Sequence, residues 1–137
     1  MSKRIVLKIL FIVVIANFAA QVPYYFHQYY LPYRTLPSLT ALFLMTFVLG
    51  WFLSGVYLLY QEKTVGYYLS ISFLAVEFLF YLQTQIVQAV TGRGVLLHLL
   101  HPDGATLFIV FGIGYVNMLA SPWFAYHFIK NKSKYLG

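Results

Sequence analysis

The stretch that decides the fold is Val65 to Val90, VGYYLSISFLAVEFLFYLQTQIVQAV, which carries one charged residue, Glu77. It exceeds the roughly 20 residues that a helix needs to cross a bilayer. An acid inside such a run is expensive to bury and marks a functional site by default. Three further runs match it in character: Ile5 to Phe26, Leu39 to Tyr60 and Ala105 to Ile129. The sequence therefore predicts an all-α integral membrane protein, a four-transmembrane-helix bundle in a single domain over residues 1–137, with helices near 5–27, 39–60, 65–90 and 105–129.

Composition agrees, since 61% of the residues are hydrophobic, 20% aromatic and 9% charged, whereas a soluble domain has about a quarter charged. Ser2-Lys3-Arg4 before the first run has the look of a secretory leader, but Asn17-Phe18-Ala19-Ala20 lacks a small-x-small cleavage site, so the run is expected to be retained. A net charge of +6 would suggest nucleic acid as partner in a soluble chain; here the cations sort by side instead, and no nucleic acid is expected. Lys3, Arg4, Lys8, Lys63, Lys130, Lys132 and Lys134 fall on one side of a four-span model, Arg34 and Arg93 on the other. The positive-inside rule then puts both termini in the cytoplasm, and a multi-pass protein of the plasma membrane is the expectation. The absence of cysteine excludes disulfides, thiolate metal sites and dithiol redox chemistry.

Between the runs, Pro23 to Arg34 is rich in tyrosine and proline and reads as an aromatic belt with a short linker. Gln61-Glu62-Lys63-Thr64 is a tight turn that forces helices two and three together as antiparallel neighbours. In the segment Thr91 to Gly104, Gly92 and Gly94 end helix three, Gly94 to Leu100 suits a short interfacial helix, and Asp103 is placed to cap helix four. Gly112-Ile113-Gly114 lies in an apolar helix with no strand before it, so it is no dinucleotide fingerprint.

At about 100° per residue, Ser70, Glu77, Tyr81, Thr84 and Gln88 fall within roughly 60° of arc, opposite Ile71, Ala75, Leu79, Leu82 and Ile86. Asn17, Gln21, Tyr24 and Gln28 align on the first helix, Gly50, Ser54 and Tyr57 on the second, and Thr106, Gly114, Asn117 and Ser121 on the fourth. Four stripes imply a polar interior, with Asn17, Glu77 and Asn117 near one depth. Polarity increases toward the outer half, which predicts an outward or lateral pocket floored by Glu77 and bordered by Asn17, Gln21, Tyr81, Thr84, Gln88 and Asn117. Its ligand would be small or lipid-like, with a cation or amine to match the acid. The plain structural alternative is a protonated Glu77 bonded to Asn117 or Asn17, locking helices and binding nothing.

Other chemistry has less to stand on. His98, His101 and Asp103, with His27, form the one metal-like set, but His-x-x-His lacks a third ligand at a diagnostic spacing, and no cofactor is expected. His27 and His98 as haem ligands would need to face each other within helices. No nucleophile has an adjacent base, and an intramembrane isomerase or proton-transfer enzyme would need a second titratable group beside Glu77. The layout loosely resembles the sterol-isomerase and sigma-2-receptor-like bundles, in Pro23 near the outer end of helix one and the aromatic, proline-containing Asn117 to Trp123 segment of helix four. Those families use several pocket acids, of which Glu77 alone would correspond. The leading expectation is thus a membrane protein that binds or conducts a small ligand. A non-catalytic subunit of a larger membrane complex, or a homo-oligomer, is the alternative, and an enzyme comes third.

Overall fold

A computed structural model describes the backbone of residues 1–25, 39–90 and 104–137 and, within these, the side chains outside 21–25, 39–42, 84, 88–89 and 104–111. All regular structure among the described residues is helical: α1 (Lys3–Tyr25), α2 (Leu39–Tyr60), α3 (Thr64–Val90), α4 (Gly104–Lys130) and a short α5 (Lys132–Leu136). Each of the first four coincides with an apolar run, because a continuous stretch of Leu, Ile, Phe and Val satisfies its backbone internally once it is helical. Among the described residues, two segments, Phe43–Tyr60 and Thr64–Val87, are long and apolar enough to cross a membrane, with mean hydropathy of 1.8 and 1.6.

The chain reverses sharply between α2 and α3. Glu62 adopts a left-handed conformation, φ 63°, its amide donating to the Leu59 carbonyl (3.0 Å) while the Lys63 amide donates to that of Leu58 (2.9 Å). That pair of bonds is a Schellman termination of α2. Across the turn α2 and α3 run antiparallel in close register. Phe52 packs on Phe73 with ring centroids 5.0 Å apart, and the Trp51 indole donates to the Leu69 carbonyl at 3.1 Å. Gly66 is pressed against the backbone of Leu58 and Leu59; a Cβ there would lie 2.2 Å from the Leu59 nitrogen.

From this hairpin the packing continues from α3 to α4 and from α4 to α1, while α1 meets α2 more sparsely. Tyr67 of α3 donates to the carbonyl of Phe128 on α4 at 3.4 Å, and Lys3 at the start of α1 forms an ion pair with Glu62 at 2.7 Å. The α2–α3 turn, the N terminus and the C terminus therefore share one end of the molecule. The apolar core occupies that half, built on Val6, Leu10, Val14, Phe52, Leu59, Leu74, Phe124 and Phe128. α5 folds beneath it. Its Tyr135 ring sits edge-on to Phe128, centroids 4.9 Å apart, and Asn131 turns the chain by donating its side-chain amide to the His127 carbonyl at 2.9 Å.

Candidate functional site

Where the apolar core ends, a layer of polar side chains begins. Glu77 is the central residue of the 27-residue α3, and Asn117 is the central residue of the 27-residue α4. The two helices are antiparallel, so their centres meet, and Asn117 Nδ2 donates to Glu77 Oε1. One turn further along α4, Ser121 presents its hydroxyl to Glu77 Oε2 at 3.2 Å and also to the Asn117 carbonyl at 2.8 Å. Asn117 and Ser121 are buried, at 1% exposure each, and Glu77 is partly buried.

This geometry has a consequence for protons. Ser121 has a single hydroxyl hydrogen and two acceptors within reach. If it goes to the Asn117 carbonyl, the Ser121 oxygen is left to accept a proton carried by Glu77. If it goes to Glu77 Oε2, both carboxylate oxygens are donated to, which suits the ionised acid. One arrangement of heavy atoms thus accommodates Glu77 in either protonation state. Among the described residues no basic side chain pairs with Glu77; the salt bridge there is Lys3–Glu62.

A second pair lies one helical turn away, a rise of about 6 Å. Asn17 of α1, 4% exposed, donates its Nδ2 to the Tyr81 hydroxyl of α3 at 2.5 Å. The other end of its amide, Oδ1, has no partner among the described residues. A buried amide with one end unmatched is unusual, because each unmet polar group costs about 1–3 kcal/mol. Further along α3, Gln85 accepts from the Tyr115 hydroxyl of α4.

The structure therefore brings together four of the expected site residues, Glu77, Asn117, Asn17 and Tyr81, joins to them Ser121 of the same α4 stripe, and adds Gln85 and Tyr115. Ser121 was legible as the residue one turn after Asn117; Gln85 sits on the shoulder of the α3 stripe, and Tyr115 beside Gly114 gave no signal. The side chains of Gln21, Thr84 and Gln88, which would border an outward pocket, lie outside the described residues, as do His27, His98, His101 and Asp103. Among the described residues no group of three metal-ligating side chains occurs.

One stripe is corrected. Gly50, Ser54 and Tyr57 of α2 do not enter the bundle interior: all three are exposed, and nothing lies within 4 Å of a Cβ built on Gly50. The inward face of α2 is instead Phe52, Gly55 and Leu59, with Gly55 close enough to α3 that a Cβ would lie 3.1 Å from Ser70 Oγ. The reason is steric. Rings on Trp51 and Phe52 interlock with Phe73, and that interlock fixes the rotation of α2 more strongly than the placement of its small polar groups.

No protein-family model, curated protein or solved structure matches the chain.

Proposed function

We propose that the chain is a four-span bundle of the plasma membrane, both termini cytoplasmic, that binds or conducts a small or lipid-like cation at Glu77. The membrane reading is supported by apolar side chains that face outward on every long helix: Ile12, Phe43, Leu79 and Leu119 are 64%, 69%, 60% and 67% exposed. Only 17% of the Phe43–Tyr60 segment and 28% of Thr64–Val87 are buried within the chain, whereas the core helix of a soluble protein would be mostly covered.

The observation that carries the ligand reading is a mid-helix carboxyl held by neutral donors, one turn from the unmatched Oδ1 of Asn17. An amine supplies what both lack, a positive charge for Glu77 and an N–H for Asn17. Tyr81 and Asn117 would orient it, and Gln21, Thr84 and Gln88 would form the approach from the outer side. Because Ser121 can face either form of the acid, Glu77 can give its proton to water as a cation arrives and take one back from water as the cation leaves.

A second reading, a non-catalytic complex subunit or homo-oligomer, is favoured by one observation. The exposed Gly50 and Ser54, four residues apart on the outer face of α2, let a partner helix approach closely. Purification in a mild detergent, followed by mass analysis of what accompanies the chain, decides between them. A small amine retained by the wild type and absent from Glu77→Gln is the expected result. Stoichiometric companion proteins and no small molecule would favour the subunit reading instead.

A further inference from the structure

Between α1 and α2, which pack sparsely, an open groove of about 630 Å³ runs along the end of the molecule that holds the termini. Its two ends differ in chemistry. At the terminal end stand Arg4 and Lys8 of α1 and Tyr57 and Tyr60 of α2. Toward mid-helix the walls become Phe11, Ile12, Leu53 and Val56, and Phe11 stacks on the buried Phe52 at 6.3 Å to form the floor. We infer that this groove holds one anionic phospholipid, its phosphate between Arg4 and Lys8 and an acyl chain along Phe11, Ile12 and Leu53.

Charge selects this occupant. Arg4 and Lys8 are one turn apart on the same helix face, a spacing at which like charges repel. Neither has an ion-pair partner among the described residues: the neighbouring acid, Glu62, is engaged by Lys3 at 2.7 Å. A phosphate between the two cations removes the repulsion and satisfies both. The Tyr57 hydroxyl already accepts a bond from Gln61 Nε2 at 2.7 Å, which leaves its own proton to donate at the glycerol level. A zwitterionic lipid would bring a third cation toward the pair. A second copy of this chain, docked about a two-fold axis, would set Arg4 and Lys8 against themselves with no acid to match. The polar end of the groove also coincides with the side of the bundle where headgroups would lie, so the inference rests on the membrane reading proposed above.

The test uses the full chain in a non-ionic detergent, titrated with phosphatidylglycerol and with phosphatidylcholine of the same acyl chains, and bound lipid counted by native mass spectrometry. The wild type should prefer phosphatidylglycerol. Arg4→Gln and Lys8→Gln should each weaken that lipid by about fivefold and leave phosphatidylcholine unchanged, with helicity intact by circular dichroism. Lys130→Gln and Lys132→Gln, cations outside the groove, should leave both affinities as they were. Ile12→Trp, which fills the apolar end, should weaken both lipids. Equal affinity for the two lipids, full phosphatidylglycerol binding by the Arg4→Gln/Lys8→Gln double variant, or equal losses from the Lys130 and Lys132 variants would overturn the proposal. So would inorganic phosphate competing as well as the lipid, or Ile12→Trp disrupting a dimer while lipid binding persists. A chain that stays in solution after detergent removal without lipid would overturn the membrane reading itself; one that enters vesicles but shows no preference overturns the groove alone.

Discussion

At the scale of single residues, Glu77 matters through what it accepts. In Glu77→Gln the amide oxygen can still take the Asn117 bond and the amide nitrogen can donate to Ser121, so stability should hold near the wild type. Glu77→Ala strands the Asn117 side-chain donor, while Ser121 keeps the Asn117 carbonyl as acceptor, and should cost about 1–3 kcal/mol, read as a lower unfolding temperature in detergent. Near-equal stability of the two variants would count against the hydrogen-bonded centre. Tyr135 should behave in the opposite way. It is 1% exposed, and its hydroxyl has no partner among the described residues. Burial pushes that phenol up to about 12. Because the folded value exceeds the unfolded one of about 10, the resulting stability is complete below pH 10 and is lost as pH rises toward 12. Tyr135→Phe should abolish this alkaline loss and leave the protein as stable or more so at neutral pH, in a thermal-unfolding series from pH 8 to 12. The inward direction of Glu77 was readable from helical period alone. The pairing of Asn17 with Tyr81 was not, because it depends on which helices adjoin, and no local pattern encodes that.

At the scale of elements, glycines on α2 and α3 separate contact from open space. Gly66→Ala must push a methyl into the Leu58–Leu59 backbone and should destabilise strongly, whereas Gly50→Ala meets nothing and should be neutral or gain about 0.5–1 kcal/mol of helix stability. If Gly50→Ala proved as damaging as Gly66→Ala in thermal unfolding, α2 would be rotated relative to the structure, or Gly50 would lie under a partner helix. The stripe of Gly50, Ser54 and Tyr57 is legible in the sequence as a stripe, but its direction is not. In a chain this apolar, hydrophobicity does not distinguish the interior from the exterior, so only the large rings decide rotation. The α2–α3 turn was legible as a turn; that Glu62 would take the left-handed position was not, since glycine is the usual occupant.

At the scale of the whole molecule, the all-helical architecture followed from the length of the apolar runs. The Lys3–Glu62 pair ties the N terminus to the α2–α3 turn, and the Lys3 ammonium holds the Glu62 carboxyl below its usual value, first by hydrogen bond and then by charge. A depressed acid contributes stability above its unfolded value and loses it as pH falls through the folded one. Acidification below about pH 4 should therefore lower the protection of amides at the start of α1 relative to their intrinsic exchange, and Lys3→Gln should remove that dependence; unchanged protection would show the pair to be inconsequential. The proposed orientation is open to thiol mapping, because the chain has no cysteine. Ser2→Cys and Ser133→Cys should react only with membrane-permeant reagents in intact cells, and reaction of either with an impermeant reagent would reverse the topology. That Glu77 is a counter-charge for a ligand, and more than a helix lock, is put to the test by binding dodecylamine and dodecanol to the purified wild type and Glu77→Gln. The wild type should prefer the amine over the uncharged alcohol, and Glu77→Gln, still folded, should lose the preference. Equal binding of amine and alcohol by the wild type, or an amine preference that survives in Glu77→Gln, would contradict it.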